Sequence, residues 1–228
     1  MKTIAVTICV WKRLDITRAC YVNIESQRPK FKKLGLDLMV YVCGSESDHK
    51  SLASEFGYKY IESKNFPVGN KWEKVLKVAM KDKWDFWMTL GSDDFLLDGS
   101  EYLIAYQMLC KKVESGMPKN ILFFESSSGL GFEFKDVSRC GAARWYSRAI
   151  LEKAYSKTDK IYPEKDIRLD WWSEQSIFKS TGVLPHRFDE TYVADVKSEV
   201  NINSFGSVIQ DRTKNLHISD FISEFKEK

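Results

Sequence analysis

The stretch Thr89-Leu90-Gly91-Ser92-Asp93-Asp94 sets two adjacent carboxylates at the end of an apolar run, residues 84–90. Neighbouring acids repel each other and are costly to remove from water. A divalent cation would offset that cost. Hard oxygen ligands suit Mn²⁺ or Mg²⁺, which would bridge to substrate phosphates and act as a Lewis acid. The bland alternative is that Ser92 or Asp93 caps a following helix. A second pair, Asp170 and Glu174, stands four residues apart, so one helical face carries both. Such a carboxylate can take a proton from an attacking hydroxyl. Trp171 and Trp172 beside it offer flat faces for a sugar ring or a base. The alternative there is an N-cap at Asp170 with two core tryptophans.

The bulk composition bounds what these groups can serve. The chain has 228 residues, 43% of them apolar, enough for one sizeable core. Lys and Arg number 35 against 32 acids, a net charge of +3. That weak basicity neither establishes a nucleic-acid partner nor excludes an anionic substrate. The five cysteines are widely spaced with no CxxC pair, which argues against a zinc site or a disulfide scaffold and fits a reducing compartment. The N-terminal apolar run meets Trp11-Lys12-Arg13 too soon to span a bilayer and lacks a small-residue cleavage site. It reads as a first strand, and the expected location is the cytoplasm.

The elements that must position the acids follow from periodicity. Strands are expected at 3–10, 36–43, 58–62, 84–90, 121–125 and 192–196, and helices at 15–25, 47–56, 144–155 and 170–179. Ser47 or Asp48 suits the N-cap of the second helix. Trp72, Val75, Leu76, Ala79 and Met80 fall at helical spacing, as do Tyr106, Leu109, Cys110 and Val113. Residues 125–132 read as a flexible glycine-containing segment, and 218–228 as a charged terminal helix or tail. Strand-helix alternation implies an α/β fold: a mostly parallel twisted sheet with helices on both faces. Ligands bind such sheets outside the carboxyl ends of the strands, where the loops after strands one to four would share a crevice.

Four segments in this order carry a family resemblance: VTICVWKRLD, KNFPVGNKWEKVLKVA, WDFWMTLGSDD, and CGAARWYSRAIL followed by RLDWWSEQS. Over roughly residues 3–180 the chain resembles a GT-A fold glycosyltransferase of the broad family 2 kind. The resemblance implies a single GT-A domain over 1–228, its nucleotide-binding half about 1–98 and its acceptor-side half about 99–228. It implies transfer of a sugar from a nucleotide-diphosphate donor, UDP-linked by family habit, with Mn²⁺ or Mg²⁺ at a DxD-type motif. Asp94 would ligate the metal, and Asp93 would contact ribose or sugar or share the ion. Ser92 stands where many members carry another Asp. Arg13 and Ser45 fall where nucleotide contacts are expected, and Asn65, Gly69 and Lys71 line the loop and helix that run under the nucleotide. Lys197 would meet the diphosphate, and His217 or His186 falls where some relatives place a third metal ligand. Asp170 occupies the position of the base, with Glu174 second; residues 141–144 and Arg148 would face donor sugar or acceptor.

Two other classes stay open from the sequence. A sugar-phosphate nucleotidyltransferase usually carries a glycine-rich phosphate loop after strand one, and Val10-Trp11-Lys12-Arg13-Leu14-Asp15 has no glycine. An inert sugar-nucleotide-binding module would have no need of Asp93, Asp94 and Asp170. The acceptor is open among a glycan, a small molecule and a hydroxymethylated DNA base, the last in the host cytoplasm if the chain is phage-encoded.

Overall fold

The computed structural model describes residues 1–137, 140–198 and 216–222. In chain order the strands are β1 (Lys2–Cys9), β2 (Leu36–Gly44), β3 (Lys59–Glu62), β4 (Phe86–Gly91), β5 (Asp94–Leu96), β6 (Ser115–Pro118), β7 (Ile121–Glu125), β8 (Leu130–Phe134), β9 (Trp145–Ser147), β10 (His186–Phe188), β11 (Val193–Lys197) and β12 (Leu216–His217). The helices are α1 (Leu14–Lys33), α2 (Ser47–Glu55), α3 (Val68–Ala79), α4 (Ser100–Ala105), α5 (Arg148–Tyr155) and α6 (Leu169–Thr181).

A seven-stranded sheet runs β10-β6-β9-β4-β1-β2-β3. Its β4-β1-β2-β3 half is parallel, as crossover helices require, while β9 runs antiparallel to both β4 and β6. Side-chain alternation along β1 splits the core in two. Ile4, Val6 and Ile8 pack with Tyr21 and Ile24 of α1, Leu52 of α2 and Ile104 of α4. Ala5, with Tyr41 and Trp87 of the neighbouring strands, packs with Val75 of α3, Leu151 of α5 and Ile177 of α6. Helices thus cover both faces, which is why β1 and β4 read as continuous apolar runs. Each fully buried Leu, Ile or Val contributes about 1.5–3 kcal/mol to holding these layers.

A second, five-stranded sheet runs β12-β8-β7-β11-β5 and is mostly antiparallel. Periodicity does not reveal it, because β5 and β12 are two or three residues long. It corrects several expectations. Residues 125–132 are not a loose segment: Gly129 N–H donates to Glu125 O, and the chain turns there into β8, paired with β7. Residues 145–147 are a strand, so the fifth helix begins only at Arg148. The stripe from Tyr106 to Cys110 is a π-helical turn after α4. Glu46, rather than Ser47 or Asp48, stands at the start of α2 and makes no side-chain cap. In the expected terminal helix, residues 218–220 form one 3₁₀ turn, and 223–228 lie outside the described residues. No helix among the described residues is long and apolar enough to cross a membrane.

Candidate active site

Strand register explains how the acids meet. β5 pairs antiparallel with β11, so Asp94 lies directly across from Asp195. Asp93 precedes β5, and its carbonyl accepts the Val196 N–H at 2.8 Å. One carboxylate oxygen from each of Asp93, Asp94 and Asp195 lies within 4.8 Å of the others, all three residues buried. Asp94 is therefore a strand residue facing a second acid; it does not cap a helix. Burial first, then the charges of Asp195 and Asp93, push its carboxyl well above the usual carboxylate range.

Among the described residues two cations reach the cluster, Arg13 and Lys197. Lys12 and Arg13 both take left-handed backbone, and Arg13 there bonds across to the acids. Its guanidinium meets Asp93 Oδ2 at 2.6 Å and donates to Ser92 Oγ at 2.9 Å. Lys197 follows Asp195 by two residues, so the strand puts both on one face. Its Nζ lies 2.5 Å from Asp195 Oδ2, 3.7 Å from Asp93 Oδ2, and 5.7 Å from the centre of the Phe123 ring. Asp195 Oδ1 is buried with no hydrogen-bond partner among the described residues. Burial pushes Asp195 up to about 7 against the pull of Lys197, with Asp93 adding to the rise.

Three carboxylates close together, with Asp195 Oδ1 buried and lacking a hydrogen-bond partner among the described residues, make a donor set that fits a divalent ion. The linkage has a definite sign. Asp195 moves from 3.8 toward about 7 on folding, so its protonated form stabilises the fold below pH 3.8, and that contribution is lost as pH rises through 7. The unfolding free energy of wild type minus that of Asp195→Asn, measured in chelator, should fall between pH 4 and 7. A flat difference across that window would show that the carboxyl is not held in this environment.

These acids line a cleft of about 630 Å³, and Asp170 lies in the same cleft. α6 brings Asp170 there at its first turn, and Gly141 provides the room. A Cβ at Gly141 would stand 2.0 Å from Asp170 Oδ1. Arg144, wholly buried, donates to the Asp170 carbonyl at 2.9 Å and to Ser173 Oγ at 2.7 Å, pinning that turn against the sheet. Neither seat is visible as a motif; the sequence shows only a glycine and an arginine three residues apart.

The other expected site residues fall elsewhere. Glu174 is buried one turn beyond Asp170 and does not line the cleft. Ser45 is exposed in a shallow depression with Lys12, Arg13 and Glu46. Lys71 is 2% exposed; its ammonium donates to Val10 O at 2.6 Å and Asn65 Oδ1 at 3.0 Å, tying the end of β1 to the loop before α3. Burial lowers its pKa. Arg148 is spent on the carbonyls of Asp82 and Met80. His217 is exposed, shares a hydrogen bond with Ser219 Oγ at 2.8 Å, and stands outside the acidic group; His186 is exposed on β10. Asp195 takes the third place among the acids, and the signal for it was the pair Asp195-x-Lys197 closing a strand. Trp171 and Trp172 meet edge to face at 4.3 Å, with Lys165 Nζ 3.7 Å above the Trp172 ring.

Gly69, expected under the nucleotide, packs against the chain's own backbone. A Cβ there would stand 1.8 Å from the Pro163 carbonyl oxygen, and the Gly69 N–H donates to Lys165 O at 2.8 Å. Gly69→Ala should therefore lower the unfolding free energy by about 2 kcal/mol or more. Urea melts check this; an unchanged midpoint with weakened nucleotide binding would assign the glycine to a ligand.

The fold is a GT-A-like α/β arrangement. S. aureus TarS superposes with a TM-score of 0.59 at 13% identity, over 86% of this chain and 37% of that one. TarS 1–349 in complex with UDP-GlcNAc gives 0.58 at 14%, over 88% and 60%, and its UDP complex 0.56 at 14%, over 96% and 68%. This chain thus spans only 37% and 60% of the first two TarS chains. No family model matches the sequence, and no curated protein matches it.

Proposed function

We propose that this chain is a glycosyltransferase that moves a sugar from a nucleotide-diphosphate donor, a UDP-sugar, to an acceptor hydroxyl. One observation carries the reading: buried Asp93, Asp94 and Asp195 face each other across β5 and β11 and open into the cleft that holds Asp170. In a nucleotide-sugar transferase fold that cleft lies beside the ends of the parallel strands, the usual ligand position.

The three carboxylates would hold Mn²⁺ or Mg²⁺. Such an ion supplies electrostatic stabilisation to the charge that grows on the departing diphosphate. The chain's own residues do the rest. Arg13 fixes Asp93 through a short ion pair and keeps the acidic turn in register with the end of β1. Asp170 accepts the acceptor's hydroxyl proton as the new C–O bond forms and the bond to the diphosphate breaks, its electron pair leaving with the diphosphate. Gly141 and Arg144 hold that carboxylate toward the cleft. Trp171 and Trp172 follow the base on α6 but do not line the cleft; Trp72 of α3 is the tryptophan that does, and it offers the flat face for a bound ring.

The test is a thermal-shift panel of nucleoside di- and triphosphates with and without Mn²⁺. A ligand of the native state raises its melting temperature. UDP should stabilise the protein, and more so with Mn²⁺. Stabilisation by triphosphates alone would assign a nucleotidyltransferase. A panel with no shift would leave a module that does not bind nucleotides.

A further inference from the structure

From the position of Lys197 we infer that its ammonium is the resident counter-ion of the acidic triad, and that it exchanges places with the divalent ion and moves onto the donor diphosphate. This rests on the metal-site reading above. Lys197 Nζ touches Asp195 Oδ2 at 2.5 Å and lies 3.7 Å from Asp93 Oδ2. It therefore stands among the same oxygens that would ligate the ion. A dication held at about 2.0–2.6 Å by those oxygens would repel an ammonium left in place. The two cannot share the triad without loss.

Arg13 is differently held. Its planar fork is fixed by both Asp93 and Ser92. Lys197 instead sits on a flexible four-carbon stem that lines the open cleft. The only large anion the cleft would receive is the diphosphate, so a displaced ammonium has a partner within the same cavity. Asp195 Oδ1, buried and unpartnered among the described residues, marks the first oxygen open to an incoming ion.

The exchange couples the two ligands. Metal binding works against the Lys197–Asp195 pair but frees a cation for the diphosphate, so each ligand favours the other. Removing the ammonium should then change the two affinities in opposite directions. Titration calorimetry on Lys197→Met, which keeps the stem and drops the charge, should show Mn²⁺ alone binding about tenfold more tightly than in wild type. UDP in saturating Mn²⁺ should bind about tenfold more weakly. A residue with a purely structural role would weaken both.

Wild type supplies an independent readout that needs no variant to fold. Acetylation of Lys197 by an amine reagent, followed by peptide mass spectrometry, should be slow without ligand, faster with Mn²⁺, and slow again with Mn²⁺ plus UDP. If wild type binds Mn²⁺ but Lys197→Met binds it no more tightly, or Mn²⁺ leaves Lys197 labelling unchanged, the exchange is wrong while the metal site stands. If Mn²⁺ binds neither protein, the metal reading fails and the exchange goes with it.

Discussion

Asp94→Asn should abolish sugar transfer, a loss of about a thousandfold or more, while the protein remains folded. The substitution keeps the shape and the acceptor oxygen that meets the Gly91 N–H, so β5 has no reason to move. It removes a carboxylate that burial already disfavours in its charged form. Metal-free Asp94→Asn should therefore be at least as stable as wild type at neutral pH, by the same linkage that applies to Asp195. A role in structure alone predicts the reverse pairing, lower stability with activity kept. Circular-dichroism melts in chelator and a transfer assay separate the two, and near-normal turnover would remove Asp94 from the site.

Asp170→Asn should lower kcat by about a hundredfold to ten-thousandfold and leave the dissociation constant of the UDP-sugar within about threefold. The amide cannot take the acceptor's proton, yet it fills the same space against Gly141. The Arg144 anchor is made to the Asp170 backbone carbonyl, so it survives the change. Glu174→Gln is the companion: that side chain is buried and does not line the cleft, so its variant should retain most of kcat. If Glu174→Gln is the crippled variant and Asp170→Asn is not, the proton goes elsewhere.

The parallel half of the molecule was legible because its signals are local. β1, β2 and β4 are long apolar runs, and α3 shows one clean apolar stripe with Val75, Leu76 and Ala79 in the core. Asp93, Asp94, Asp170 and Lys197 could be named because their neighbours have recognisable patterns. What escaped depends on partners far along the chain. Asp195 matters only because β11 pairs with β5 in a register that sets it opposite Asp94, about a hundred positions earlier in the chain. The three-residue strands β9 and β10 have too few residues to show an alternation. Lys71 is expected under the nucleotide, and its burial against Val10 O is a tertiary fact that no local pattern announces. Gly69 is expected in the loop under the nucleotide, and that the Pro163 carbonyl packs against it is likewise a tertiary fact.

Electron paramagnetic resonance of Mn²⁺ bound in the presence of UDP tests the acidic triad most directly. Wild type should hold one Mn²⁺ whose spectrum carries hyperfine coupling to phosphorus of the diphosphate, and Asp94→Asn should lose both the bound ion and the coupling. Mn²⁺ that stays free in wild type, or that binds Asp94→Asn with the same affinity and the same coupling, would contradict the assignment.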